Sequence, residues 1–345
     1  MCDLRAPFPY FGGKRRAARI IWDAIGDPGG YVEPFAGSAA VLLLRPPFRG
    51  RRVETINDAD GWLVNAWRSI RLSPDETALH AWGPVAEIDY HARLAWLQDR
   101  RGDDLVSWLE GDPEAHDAKA AGWWLYVMAA GIGDPFGPGP WRVIDGRLVD
   151  TRELPHLGNA GQGVNRELPH LGNAGQGVNR ELPHLGDAGQ GVNRELPHLG
   201  DAGQGALVAY MRCLSHRLQR VRITCGDWTR VVSPAAMRAK TGGDGSIAVL
   251  LDPPYATSGD LYAHADSDGS LSAAAREWAA AAPPDLRVVL CGYEDEHDDL
   301  LPLGWSRVNG RSGGGAGYAT ASDAGRRERL WMSPGCNVTE QGVLL

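Results

Sequence analysis

Short strand-like runs recur along the chain, some apolar throughout and some alternating, each stopped by a polar or turn-forming residue: Tyr31-Val32 before Glu33-Pro34, Val53–Ile56 before Asn57-Asp58, Val221–Cys225 before Gly226-Asp227, and Ile247–Leu251 before Asp252-Pro253-Pro254. Ile247–Leu251 has no polar alternation at all, the pattern of a strand covered on both faces, as in a parallel sheet. Between the runs, helical spacing predicts helices over Ala17–Ile25, Gly61–Leu72, Leu207–Leu218 and Ala273–Ala282. Strand and helix alternate, which predicts an α/β fold with a mainly parallel sheet. Arg287–Cys291 continues the series. Trp305–Asn309 and Arg327–Met332, either side of the glycine-rich 310–317 segment, predict a closing antiparallel hairpin.

Residues 73–150 have another texture. Helices are predicted over Ala86–Arg101, Asp104–Glu110 and Ala118–Ala130, the last containing Trp123-Trp124. Most of the 13 tryptophans read as core, because aromatics at helical spacing pack. After Gly131 come Gly, Pro and short polar pieces. Four tandem copies of a 14-residue unit then start at Arg152, Arg166, Arg180 and Arg194, the last ending Ala206-Leu207. Each full unit reads Arg-Glu-Leu-Pro-His-Leu-Gly-Asn/Asp-Ala-Gly-Gln-Gly-Val-Asn. Its glycines and proline exclude a continuous helix, and its leucines are too few for an independent core. Two readings stand: a duplicated passive loop, or an extended recognition arm whose polar side chains meet phosphates and base edges.

Composition narrows the class. In 345 residues there are five cysteines, an odd number with no Cys-x-x-Cys pair, which points to free thiols in a reducing cytoplasm. The ten histidines show no metal-ligand spacing, four of them being one histidine copied in the repeat. No apolar run approaches the ~18 residues of a membrane span, and the short, polar, Pro-containing N-terminus predicts no signal peptide. A net charge of −8 opposes nucleic-acid binding taken alone. Its distribution qualifies that: cations cluster at Lys14, Arg15, Arg16 and Arg19, at Arg45, Arg49, Arg51 and Arg52, and at Arg212, Arg217, Arg220 and Arg222. These clusters form either a basic face or ordinary solvated helix ends.

The chemistry concentrates where strands end. In an open α/β sheet the carboxyl edge is the ligand-binding edge. After Leu251 the chain presents Asp252, two prolines that fix the backbone and cannot extend the ladder, and Tyr255. A carboxylate and a rigid carbonyl suit an exocyclic amine on a base, whose delocalised lone pair makes it a poor nucleophile. Acceptors aimed at its two hydrogens favour a pyramidal nitrogen able to attack an electrophile. Tyr255 would stack on the base. Asp58, at another strand end, is placed to accept from ribose hydroxyls or to cap the helix that follows. G-x-G-x-x-G is absent, which counts against a nicotinamide dehydrogenase.

Asp252-Pro253-Pro254-Tyr255 resembles the catalytic motif of amino-group DNA methyltransferases, and Glu33-Pro34-Phe35-Ala36-Gly37-Ser38 resembles the cofactor loop of Dam-type adenine methyltransferases. Similar tetrapeptides occur in enzymes acting on rRNA guanine or protein glutamine. The resemblance covers about 1–72 and 206–335. It implies a Rossmann-like S-adenosylmethionine-dependent methyltransferase fold, with a mainly parallel sheet closed by an antiparallel hairpin. The catalytic domain would span 1–72 and 206–345, and 73–205 would be an inserted target-recognition region. Catalytic residues would be Asp252, Pro253, Pro254 and Tyr255. The cofactor would meet Tyr10, Gly13 and Lys14 of the aromatic-x-Gly-Gly-Lys segment, residues 33–38 (Glu33, Pro34, Phe35, Ala36, Gly37, Ser38), Asp58, and Asp227-Trp228.

The implied reaction is methyl transfer from S-adenosylmethionine to the N6 amine of an adenine flipped out of double-stranded DNA. The rivals are N4-cytosine methylation and a non-catalytic DNA-binding or scaffold role on the same fold. C5-cytosine methylation needs a thiolate nucleophile, usually in a Pro-Cys pair that this chain lacks. If the repeats form a recognition arm, Arg152, His156, Arg166, His170, Arg180, His184, Arg194 and His198 are its DNA-binding candidates, joined by Arg212. The exposed Leu/Gly-rich arm also invites pairing into a homodimer. The target sequence and any partner nuclease have no signature here.

Overall fold

The computed structural model describes residues 4–10, 12–48, 50–84, 86–100, 103–131, 135–136, 141–144, 147–150, 199–238, 245–254, 269–309 and 328–337. The sheet strands are β1 (Gly30–Glu33), β2 (Val53–Asp58), β5 (Val221–Cys225), β6 (Ile247–Leu251), β7 (Arg287–Tyr293), β8 (Ser306–Asn309) and β9 (Glu328–Met332). A separate hairpin pairs β3 (Trp141–Ile144) with β4 (Arg147–Asp150). The seven-stranded sheet runs in the order β5-β2-β1-β6-β7-β9-β8. Its first five strands are mutually parallel; β9 runs against both β7 and β8. The fold is thus α/β with a mostly parallel mixed sheet, closed by the expected antiparallel hairpin.

Alternation along the central strands divides two cores. Tyr31, Leu250 and Val289 enter one cluster, with α1 (Ala18–Ile25), α3 (Gly61–Leu72), α7 (Ala118–Ala130) and α8 (Leu199–Leu218). Val32, Val249, Leu251, Val288 and Leu290 enter the other, with α11 (Ser270–Ala280) and Trp331. Both faces are covered, hence the apolar runs. The first cluster also takes in α4 (Pro74–Ala81), which packs on α7 so closely that a Cβ on Gly122 would lie 2.7 Å from the Thr77 carbonyl oxygen. The helical part of the inserted region is therefore built into the main core.

Several elements depart from expectation. The remaining inserted helices, α5 (Glu87–Gln98) and α6 (Asp103–Gly111), fall near their predicted spans. α4 starts with Pro74 in its first turn and was hidden inside a stretch predicted only as helical in general. β7 extends to Tyr293 because its end pairs with Glu328 of β9. α8 starts at Leu199 and is broken at Gly203, whose φ of +71° interrupts the helix before the predicted start at Leu207. The β3–β4 hairpin lies in Gly- and Pro-punctuated sequence that carried no strand signal. Most of the repeat lies outside the described residues.

Candidate active site

The parallel arrangement brings the carboxyl ends of β1, β2, β5, β6 and β7 to one edge, and the reversed β9 starts there. Glu33, Asp58, Asp227, Asp252 and Glu328 therefore lie along one sheet edge although far apart in sequence. This edge is the candidate active site.

Its centre is Lys14. The ammonium lies 2.8 Å from Asp252 Oδ2 and 2.9 Å from Glu328 Oε1, and donates to the Gly12 carbonyl at 2.8 Å. Lysine has three protons to donate, and these are three acceptors. The Lys14 side chain is 4% exposed and that of Glu328 3%, whereas Asp252 keeps 20% of its surface open. Of the three, Asp252 is the one that faces outward. Its position follows from the sequence: β6 is central, and Pro253, which is buried, stops it one residue after Asp252. Tyr255 lies outside the described residues.

Lys14, one of the residues expected to meet the cofactor, forms an ion pair with the catalytic-motif aspartate. The Gly12-Gly13 turn brings it there. Gly13 passes Ser38 so closely that a Cβ would lie 3.3 Å from the Ser38 hydroxyl. Gly37 has φ +47° and lies beneath the Tyr10 ring, where any Cβ would overlap the aromatic carbons. Tyr10, Gly13 and Lys14 thus link the loop after β1 to Asp252.

The loop after β1 is braced by backbone and side-chain bonds. Gly37 N–H donates to Asp58 Oδ2 at 2.9 Å, Trp67 Nε1 donates to the Gly37 carbonyl at 2.9 Å, and Ala36 N–H donates to the Asn57 carbonyl at 2.9 Å. Asn57 Nδ2 donates to the carbonyls of Pro34 and Gly226 at 3.1 and 3.0 Å, tying this loop to the one after β5. Asp58 Oδ1 accepts from Asp60 N–H at 3.0 Å. The helix cap is Asp60, which accepts from Trp62 N–H at 2.8 Å, so the capping alternative for Asp58 does not hold.

Glu33 does not face outward. It is buried, and its Oε1 accepts from the Tyr31 hydroxyl at 2.8 Å and from Leu42 N–H at 2.7 Å, anchoring the short α2 (Ala40–Leu43). Burial raises its pKa to about 8, with the Asp252 and Glu54 charges adding to the effect and the two hydrogen bonds opposing it. At neutral pH Glu33 is therefore protonated. In the unfolded chain it ionises near pH ~4.3, so between those values only the folded state holds the proton and stability falls by up to ~1.4 kcal/mol per pH unit. The contribution is complete below pH ~4 and lost above the folded value. Glu33→Gln is expected to flatten this decline in denaturant unfolding measured against pH; an unchanged slope would contradict the protonated state.

After β5, Asp227 is exposed and its Oδ1 accepts from Thr229 N–H at 2.8 Å. Trp228 is buried in the second core against Phe35, with ring centroids 5.4 Å apart, and edge-on to Trp278. Its ring packs into the fold instead of standing open to a ligand. Cys291 lies beside Asp252; burial, then the Asp252 charge, holds its thiol well above the usual range, so it is no thiolate nucleophile.

The basic clusters are largely engaged within the fold. Arg45 and Arg217 both bind the buried Glu54, Arg45 and Arg52 bind Asp27, and Arg212 forms a two-point pair with Asp75. In the same two clusters Arg51, Arg220 and Arg222 are exposed. Arg49 and the eight repeat candidates lie outside the described residues. Among the described residues no group of His, Cys, Asp or Glu has the placement to hold a metal ion, and no helix is long and apolar enough to cross a membrane.

Sequence reasoning missed Glu328. The signal was an acid opening the strand Glu328-Arg329-Leu330-Trp331-Met332, unremarkable until β9 is paired with β7. Compared with models of known protein families and with curated proteins, the chain matches none.

Proposed function

We propose that this protein is a methyltransferase that moves a methyl group from S-adenosylmethionine to the N6 amine of adenine in double-stranded DNA. The observation that carries the reading is the partly exposed Asp252, held by Lys14 beside the braced loop after β1 and followed by Pro253. When bound, S-adenosylmethionine supplies an electrophilic methyl on a cationic sulfur. The residues fit such a group: an edge bearing Asp58, Asp227, Asp252 and Glu328 against one lysine favours a cation, and the glycines leave room for close approach. Asp58 and Asp227 are assigned to its adenosine. The Trp228 ring supports that pocket from behind, through Phe35.

Asp252 accepts one amine hydrogen and the Pro253 carbonyl the other, which localises the nitrogen lone pair. Lys14 pairs with Asp252 at 2.8 Å and fixes its orientation. Asp252 is also the nearest base for the proton the methylated amine must shed. The closing antiparallel hairpin is a further point of agreement with the methyltransferase resemblance.

Asp58→Ala removes the acceptor of Gly37 N–H. Cofactor affinity by isothermal titration is expected to fall at least ~10-fold, the cost of a charged hydrogen-bond partner; unchanged affinity would sink this assignment. The function itself is tested by incubating the protein with methyl-labelled S-adenosylmethionine and unmethylated duplex DNA. Label in the DNA is expected. Cofactor binding without labelling contradicts the substrate, and no cofactor binding favours a scaffold role.

A further inference from the structure

A second surface concerns how duplex DNA is held, and rests on nucleic acid being the substrate. Helices α5 and α7 pack together, and across them cations and rings alternate. The Arg100 guanidinium lies 3.7 Å from the Trp96 ring centre; the Lys119 ammonium lies 5.1 Å from Trp96 and 4.6 Å from Trp123; the Arg93 guanidinium lies 5.9 Å from Trp123 and 3.8 Å from Tyr126. Trp96 and Trp123 meet edge to face at 4.9 Å. Arg100 and Lys119 are exposed, and both tryptophans are half-buried.

These three cations differ from those described above. Arg45, Arg52, Arg212 and Arg217 each have a carboxylate, whereas among the described residues no carboxylate lies within ion-pair distance of Arg93, Arg100 or Lys119. The nearest acid in sequence to Lys119 is Asp117, which is engaged in capping α7 through Ala120 N–H at 2.9 Å. A cation resting on a ring retains its charge, gains only ~0.5–1 kcal/mol at an exposed site, and has fewer rotamers left to lose on binding. Unneutralised cations interleaved with aromatics complement a polyphosphate chain.

The adjacent residue ties this surface to the site. Trp124 points to the other side of α7 and packs on Phe8 at 5.0 Å, and Phe8 packs on Tyr10 at 6.3 Å. The cationic ridge is thus one helix diameter, ~10 Å, from Trp124, with Phe8 and then Tyr10 beyond it at centroid steps of 5.0 and 6.3 Å. We propose that the α5–α7 ridge contacts the phosphates of duplex DNA through Arg100 and Lys119, a sequence-independent grip beside the catalytic edge.

The test is fluorescence anisotropy of a labelled DNA duplex across a salt series, with wild type and the double variant Arg100→Gln/Lys119→Gln. Two lost phosphate contacts should weaken binding about tenfold at low salt and make the slope of log affinity against log salt shallower by roughly 1.8. Cofactor affinity and thermal unfolding should match wild type, which separates the effect from misfolding. Unchanged affinity and slope would overturn the proposal, as would a loss seen only with an RNA duplex. Weaker DNA binding by the variant, in a protein that transfers no methyl group, would leave the ridge standing while the methyltransferase reading fails.

Discussion

Asp252→Ala is expected to lower methyl transfer by about 10³-fold, the range for removing a proton acceptor aimed at the reacting group. Cofactor affinity should stay within a few-fold of wild type, because Asp58 and Asp227 are unaltered. The loss therefore appears in turnover and not in cofactor binding. Asp252→Asn separates charge from geometry. It retains a carbonyl acceptor but gives up the charge that pairs with Lys14 and takes up the proton, so it should fall between alanine and wild type. Substantial turnover by the alanine variant, measured as label transferred to duplex DNA, would remove Asp252 from the mechanism.

Lys14→Met is expected to be the most destabilising change at the site. It removes the ammonium that lies between Asp252 and Glu328. Removing one partner of a buried ion pair costs on the order of 3–5 kcal/mol, because the remaining charge stays desolvated. Like charges raise each other's pKa, so one carboxylate of the variant takes up a proton. The variant's deficit should then grow as pH rises through the carboxylate range, since the folded state resists ionisation that the unfolded chain permits. Denaturant unfolding against pH reads this directly. Glu328→Gln in the same chain should restore part of the stability, and no restoration would show that Lys14 acts elsewhere. Activity should fall by about 10²-fold in Lys14→Met, since a protonated Asp252 accepts poorly.

The sheet was legible because its central strands are short apolar runs and each ends in a recognisable turn. Ile247–Leu251 and Gly61–Leu72 match the observed element bounds residue for residue, and Asp252 falls at the strand end that the prolines dictate. Individual side-chain roles were less legible. Glu33 sits in a motif that implies a ligand contact, yet Tyr31 two residues earlier shares its face and draws it inward. Trp228 follows an aspartate at the right edge, yet its ring fits between Phe35 and Trp278. Lys14 and Glu328 are more than 300 positions apart in the numbering and meet only because β9 is reversed beside β7. Local spacing has no access to such pairs. The cation clusters show the same limit: proximity in sequence does not reveal that Glu54 and Asp27 lie across from Arg45, Arg52 and Arg217.

The most direct test of the central claim is the identity of the product. Wild-type protein is incubated with S-adenosylmethionine and unmethylated duplex DNA, the DNA is digested to nucleosides, and the modified nucleoside is identified by mass spectrometry. N6-methyladenine, absent when Asp252→Ala replaces wild type, is the predicted result. N4-methylcytosine would keep the amine chemistry and overturn the base assignment, and DNA left unmodified while cofactor binds would contradict the account.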